Sequence, residues 1–294
     1  MNLFYRADGS AEIGTGHLLR GIRIAQVLRQ RGRHELIFCV REHPWAIEQA
    51  RSAGLEVIPL PLGLDAAGEL RRCVDEAAGR GCDTAAVDLL DTTDQPDLCA
   101  ALRDAGLRVV TFDNTGPGRL SAHAVINFLV RDPEPAALVH RGAQLYEGPG
   151  CATLLPEYAG LNARPKPIRP RAERLLVTMG GGDAAGLAVK VVRALRPDPP
   201  LAVSVVVGSA FPHVAALEAA AAATPHAVRI EAAIPSLLPE WEAADLAVVA
   251  GGLTMHEALV TGTPAIAVCQ EVWHQPFLAR LFAIEGVMID LGLG

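Results

Sequence analysis

Short runs rich in Val, Ile, Leu and Phe alternate along the chain with longer stretches whose apolar positions recur every three or four residues. In the first half the short runs fall at 3–6, 35–40, 56–60, 85–89, 109–113, 125–128 and 145–148. In the second they fall at 175–179, 202–208, 228–232, 246–250, 265–269 and 287–289. Helical spacing occupies 44–53, 70–79, 97–105 and 186–195, and it also follows His17 in Leu18, Leu19, Ile22, Ala25 and Leu28. Continuous apolar runs joined by helices predict parallel sheets covered on both faces, an α/β fold. The alanine-rich stretch 215–223 is broken by Glu218 and predicts a surface helix. No apolar run reaches the ~18 residues that a membrane span requires.

A stretch rich in Pro and Arg at 162–171 separates the two sets and reads as a stiff, solvated linker. The expected domains are therefore 1–163 and 172–294, and a chain that is 50% hydrophobic can supply a core for each. A formal charge of −7 leaves no basic stripe for a phosphate backbone, so nucleic acid is not an expected partner. The six cysteines lack Cys-x-x-Cys spacing and read as reduced thiols of a cytoplasmic protein without a metal site. Met1 leads straight into a strand, with no secretory pattern before it.

Three loops carry candidate chemistry, each between a predicted strand and a helix. The first is the segment 6–20, Arg-Ala-Asp-Gly-Ser-Ala-Glu-Ile-Gly-Thr-Gly-His-Leu-Leu-Arg. Gly14 and Gly16 permit a tight turn and a close ligand, helix amides favour negative charge, and His17 can exchange a proton there. A connecting loop with a solvated histidine is the plainer alternative. The second loop holds Gly180, Gly181 and Gly182 before Asp183. It suits a phosphate or simply a tight turn, with Asp183 capping the next helix. The third is Gly251, Gly252, Leu253, Thr254 and, one turn on, Glu257. Its amides and the Thr254 hydroxyl suit a pyrophosphate and Glu257 suits two ribose hydroxyls, unless Glu257 is the capping-box partner of Thr254. Asp88 and Asp113 end predicted strands, where they either orient His17 or a sugar or form turns.

The opening segment resembles the UDP-sugar hydrolases of the pseudaminic acid pathway and the spore-coat polysaccharide glycosyltransferase-like proteins related to GT-B N-acetylglucosaminyltransferases. The resemblance recurs at Met179–Asp183 and at Gly251–Glu257 and covers most of the chain. It implies two Rossmann-like doubly wound domains facing across a cleft. His17 is then the base, with Asp88 its partner in the catalytic pair. Gly14, Gly16, Gly180–Gly182, Gly251–Thr254 and Glu257 hold the nucleotide, and the main chain at Ile234 reads uracil. Arg6, Asp8, Asp113 and Gln275 face the sugar, and His256 is surface or packing. The implied reaction is inverting, metal-independent and cofactor-free: water attacks the anomeric carbon of a UDP-sugar and releases a deoxy-diacetamido sugar. One departure stands out. The family's Asp-His-Tyr is Asp88-Leu89-Leu90 here, which removes a tyrosine from the reacting sugar and favours a glycosyltransferase as the alternative. A catalytically silent nucleotide-sugar binder is a third possibility, against which the intact His17 counts.

Overall fold

A computed structural model describes residues 1–10, 14–32, 34–89, 96–164, 166–270 and 274–294, the side chains of 96 and 274–277 excepted. Its contacts divide the chain into two units, Met1–Thr153 and Leu154–Gly294.

The first unit runs β1 (Asn2–Ala7), α1 (Gly16–Arg31), β2 (Glu35–Arg41), α2 (Pro44–Ser52), β3 (Glu56–Leu60), α3 (Ala66–Gly79) and β4 (Thr84–Asp88). It continues through α4 (Pro96–Asp104), β5 (Arg108–Phe112), β6 (Ala124–Asn127), α5 (Pro135–His140) and β7 (Gln144–Glu147). All seven strands pair in parallel, in the order β3-β2-β1-β4-β5-β6-β7. Strand alternation sends Phe4, Ile37 and Cys39 into the apolar cluster on one face of the sheet. Tyr5, Ala7, Phe38 and Val40 enter the cluster on the other. Gly21 lets α1 lie close on that second face, because a Cβ there would come within 2.6 Å of Tyr5 and 2.8 Å of Phe38.

The order of strands reverses between β1 and β4. At such a switch point the loops after the two strands leave toward opposite faces and open a crevice at their carboxyl ends. The loop carrying His17 follows β1, and Asp88 is the last residue of β4, so the topology itself brings these two together.

The second unit runs β8 (Arg174–Thr178), α6 (Leu187–Ala194), β9 (Ala202–Val207), α7 (Val214–Ala223), β10 (Ala227–Ala232) and α8 (Leu238–Ala243). It ends with β11 (Leu246–Val249), α9 (Leu253–Thr261), β12 (Ala265–Cys269), α10 (His274–Ile284) and β13 (Ile289–Leu293). Its six strands are again parallel, in the order β10-β9-β8-β11-β12-β13. The switch point lies between β8 and β11, where the two glycine loops leave the sheet.

The division after Thr153 falls upstream of the Pro/Arg-rich stretch that the sequence suggested as the linker. The reason is anchoring. Tyr158 is buried in the second unit, and the Lys166 ammonium donates to the carbonyls of Trp241 and Ala244 and, at 3.1 Å, to Thr263 Oγ1. Those bonds tie the start of the stretch to the second unit, although most of its arginines remain exposed.

Candidate active site

In the first unit, Ser10 N donates to Gly14 O at 3.1 Å, closing the loop after β1, and Gly14 takes φ +84°, where a side chain would be strained. Residues 11–13 lie outside the described residues. A Cβ at Gly14 or Gly16 would meet nothing within 4 Å, so the space beside this turn is open. α1 then starts at Gly16 without a side-chain cap, and His17 occupies its first turn.

His17 Nδ1 lies 2.6 Å from Oδ1 of Asp88, whose side chain is fully buried. Burial alone would raise the Asp88 carboxyl. The Arg20 guanidinium and His17 overcome that and hold it well below the usual carboxylate range. Asp88 is therefore an ionised acceptor, so the proton in this contact sits on His17 Nδ1. In a neutral ring the lone pair is then on Nε2, the nitrogen able to take a proton. Arg20 Nη2 donates to Asp88 Oδ1 and also lies within hydrogen-bond distance, 3.0 Å, of the same Nδ1.

Asp88 accepts two further bonds. Tyr5 donates its hydroxyl to Oδ2 at 2.6 Å, and Arg20 Nε donates to Oδ2 at 2.7 Å. Burial and the neighbouring Asp88 push the Tyr5 phenol well above its ordinary value, so it remains a donor. Arg20 also bonds Asp113 through Nη1, and its guanidinium lies over the rings of Phe112 and Phe128 at 5.2 and 5.0 Å. Tyr5 and Arg20 were not expected as site residues. The available signal for Arg20 was its spacing, three residues after His17 on one helix face.

The residues expected to face the sugar, Arg6, Asp8 and Asp113, all have protein partners in this structure. Arg6 is fully buried, and its N–H groups are directed at Asp8, Glu69 and the carbonyls of Ala7 and Cys39. Burial disfavours its charge, but Asp8 and Glu69 more than compensate and raise its pKa. Asp8 also accepts from the Arg41 amide at 2.9 Å. The pair Arg6–Asp8 thus stiffens the entry to the His17 loop and leaves no arginine donor for a ligand. Asp113 gives Oδ2 to Arg20, and Oδ1 accepts the amides of Phe128 and Leu129 at 2.9 and 2.8 Å, so it too is occupied by protein.

In the second unit, Gly180 takes φ +78° and a Cβ added to it would meet nothing within 4 Å, while Gly182 is buried. The backbone of Gly181 touches Gly208 so closely that a Cβ on Gly208 would lie 2.3 Å from the Gly181 carbonyl oxygen. Asp183 caps the following helix, its two oxygens accepting the amides of Leu187 and Ala188 at 2.8 and 2.9 Å. Burial outweighs those bonds and raises its pKa. The carbonyl of Met179 receives Gln270 Nε2 at 2.6 Å, which braces the loop from β12.

Gly251, Gly252 and Leu253 are half-buried at the start of α9, where Gly252 takes φ +100° and no side chain caps the helix. Those first amides suit an anion. The Thr254 hydroxyl is less suited than expected, because it donates to Ala250 O at 3.0 Å. No capping box forms. Glu257 is buried and accepts from Trp241 Nε1 at 3.1 Å, a partner with no sequence signal. His256 packs edge-on against Phe282 with ring centroids 5.5 Å apart, in agreement with a packing role. Ile234 is half-buried just after β10, next to Ala233 with φ +52°. Gln275 belongs to the first turn of α10, and its side chain lies outside the described residues.

No family model matches the chain. It is 28% identical over 300 residues to the spore coat polysaccharide biosynthesis protein SpsG of Bacillus subtilis, covering 98% of this chain and 83% of that one. Superposed on MurG of Acinetobacter baumannii, it gives a TM-score of 0.66 at 17% identity, over 99% of this chain and 85% of the other. The fold is that of the GT-B glycosyltransferases. A second similar structure is HepE of Anabaena in complex with UDP-glucose, with a TM-score of 0.54 and 13% identity over 100% of this chain and 86% of that one. Among the described residues no helix is long and apolar enough to cross a membrane.

Proposed function

We propose that the protein hydrolyses a UDP-sugar in polysaccharide biosynthesis, with His17 as the base. The observation that carries this reading is the 2.6 Å contact between His17 Nδ1 and buried Asp88, which leaves Nε2 as the acceptor. Water gives a proton to Nε2 as its oxygen bonds the anomeric carbon. The bond from that carbon to the diphosphate oxygen breaks, and its electron pair leaves with UDP. Asp88 holds the ring in the productive tautomer and balances the imidazolium that forms.

The nucleotide is assigned to the second unit. The amides of Gly180–Gly182 and of Gly251, Gly252, Leu253 and Thr254 face the diphosphate, with Glu257 toward the ribose, main chain at Ile234 toward uracil and Gln275 toward the sugar. The similarity to SpsG and the UDP-glucose bound to HepE support a nucleotide-sugar substrate.

Transfer to a sugar hydroxyl, with the same base, is the second reading. It is favoured by Leu89, which is buried in the apolar cluster directly after Asp88 and brings no polar group to a sugar. A panel of UDP-sugars incubated with and without hydroxyl acceptors, followed by NMR for UDP and free sugar, tests both. UDP and free sugar without acceptor support hydrolysis. Product only with acceptor replaces it by transfer, and no turnover of any UDP-sugar removes both.

A further inference from the structure

Two carboxylates, one guanidinium and one imidazole are packed together at the carboxyl ends of β1, β4 and β5. Asp88 and Asp113 carry two negative charges against the single positive charge of Arg20, so the cluster holds one net negative charge while His17 is neutral. Protonation of His17 brings it to neutrality. Without Asp113, the imidazolium would stand 3.0 Å from Arg20 Nη2 with one carboxylate shared between two cations. At that range and burial, repulsion between cations is poorly screened.

Asp113 is held for this task from both sides. It takes φ +47°, a left-handed conformation that is uncommon for residues with a side chain and that Asp tolerates better than most. The amides of Phe128 and Leu129 fix Oδ1 and Arg20 occupies Oδ2, while the rings of Phe112 and Phe128 flank the guanidinium and keep water from separating the pair. We propose that Asp113 is a positioning residue of the proton transfer, offsetting Arg20 so that the whole charge of Asp88 remains available to His17 as it becomes a cation. This rests on His17 being the base. Among the described residues, the charged and titratable groups in contact with His17 are Asp88 from β4 and Arg20 from its own helix; behind them stand Tyr5 from β1 and Asp113 after β5.

The test is a cycle of Asp113→Asn and Arg20→Met in the full chain. It is read by the NMR titration of the His17 Cε1–H, which needs no substrate, and by UDP release. In Asp113→Asn the titration midpoint should move to lower pH by about half a unit or more. There kcat should fall by about threefold or more while KM hardly changes. Removing the cation as well, in Arg20→Met/Asp113→Asn, should return the midpoint and most of kcat toward wild type. A structural role for Asp113 predicts the opposite order, with the double variant worse than the single one, and that result overturns the proposal. So does an unmoved midpoint in Asp113→Asn. Should the single variant not fold, the double variant decides alone: a midpoint near that of wild type supports charge balance, and one well below it does not. His17→Asn separates the two ideas. Full turnover in that variant removes the base reading, whereas an inactive His17→Asn beside a fully active Asp113→Asn removes only the role of Asp113.

Discussion

The indole N–H of Trp241 donates to Glu257 Oε2 at 3.1 Å, and both side chains are almost wholly withdrawn from solvent. The glutamate therefore has a structural duty besides any contact with ribose. Glu257→Ala orphans the buried indole N–H and should lower stability by about 1–3 kcal/mol. UDP binding should weaken by roughly 1.5–3 kcal/mol, the range for hydrogen bonds to a charged group. Glu257→Gln retains an acceptor for Trp241, so it should keep the melting temperature and lose affinity. Calorimetry that shows unchanged UDP binding in a folded Glu257→Gln would take the residue out of the nucleotide site.

His17→Asn should separate chemistry from binding. Asparagine cannot accept the proton near neutral pH, so turnover should drop by about two to four orders of magnitude, with UDP affinity unchanged within a few-fold. Because the His17 side chain is only 14% exposed and bonds the buried Asp88, the melting temperature should fall modestly, while the chain stays folded. A rate near that of wild type, measured on the true substrate, would reject the base.

The glycine loop after β8 offers a paired comparison. Gly180 has open space around it but φ +78°, so Gly180→Ala should cost about 1–2 kcal/mol of stability. If a phosphate occupies that space, UDP affinity should fall further than stability does. Gly208→Ala is a different kind of change, since its Cβ would overlap the Gly181 carbonyl oxygen. It should displace the loop and lower both thermal stability and UDP affinity. A Gly208→Ala protein with normal melting and normal UDP binding would show that the two backbones are not in fixed contact.

Acid should strike the first unit through its buried carboxylates. Asp88, Asp8 and Glu69 all have pKa values lowered in the folded protein, burial being outweighed by Arg20 and His17 for Asp88 and by Arg6 and Arg41 for the other two. A lowered folded pKa means that the stabilisation is complete above the unfolded values, about 4, and is lost as pH falls toward the folded ones. Urea unfolding should thus give similar stability at pH 7 and pH 5 from this source and a steep decline below pH 4. Replacing Asp88 by Asn should flatten that decline while lowering stability at pH 7. An equally steep decline in the variant would assign the acid sensitivity elsewhere.

The alternation of apolar runs and helical spacing determined the two parallel sheets nearly strand for strand, because a strand buried on both faces must be apolar throughout. The glycine turns were legible for a similar reason. A turn that needs positive φ, as at Gly14, Gly180 and Gly252, selects glycine at that position, so backbone geometry is written locally. Charge partnerships are not local. Nothing near Arg6 in sequence marks Glu69 as its partner, and only the packing of α3 beside β1 and β2 turned an expected sugar contact into a buried brace. The cap that Asp183 makes with the amides of Leu187 and Ala188, by contrast, is local and was legible. The union of His17 with Asp88, and of Arg20 with Asp113, comes from the reversal of strand order between β1 and β4. That reversal sets the ends of residues far apart in sequence side by side, a consequence of sheet topology that no single segment encodes.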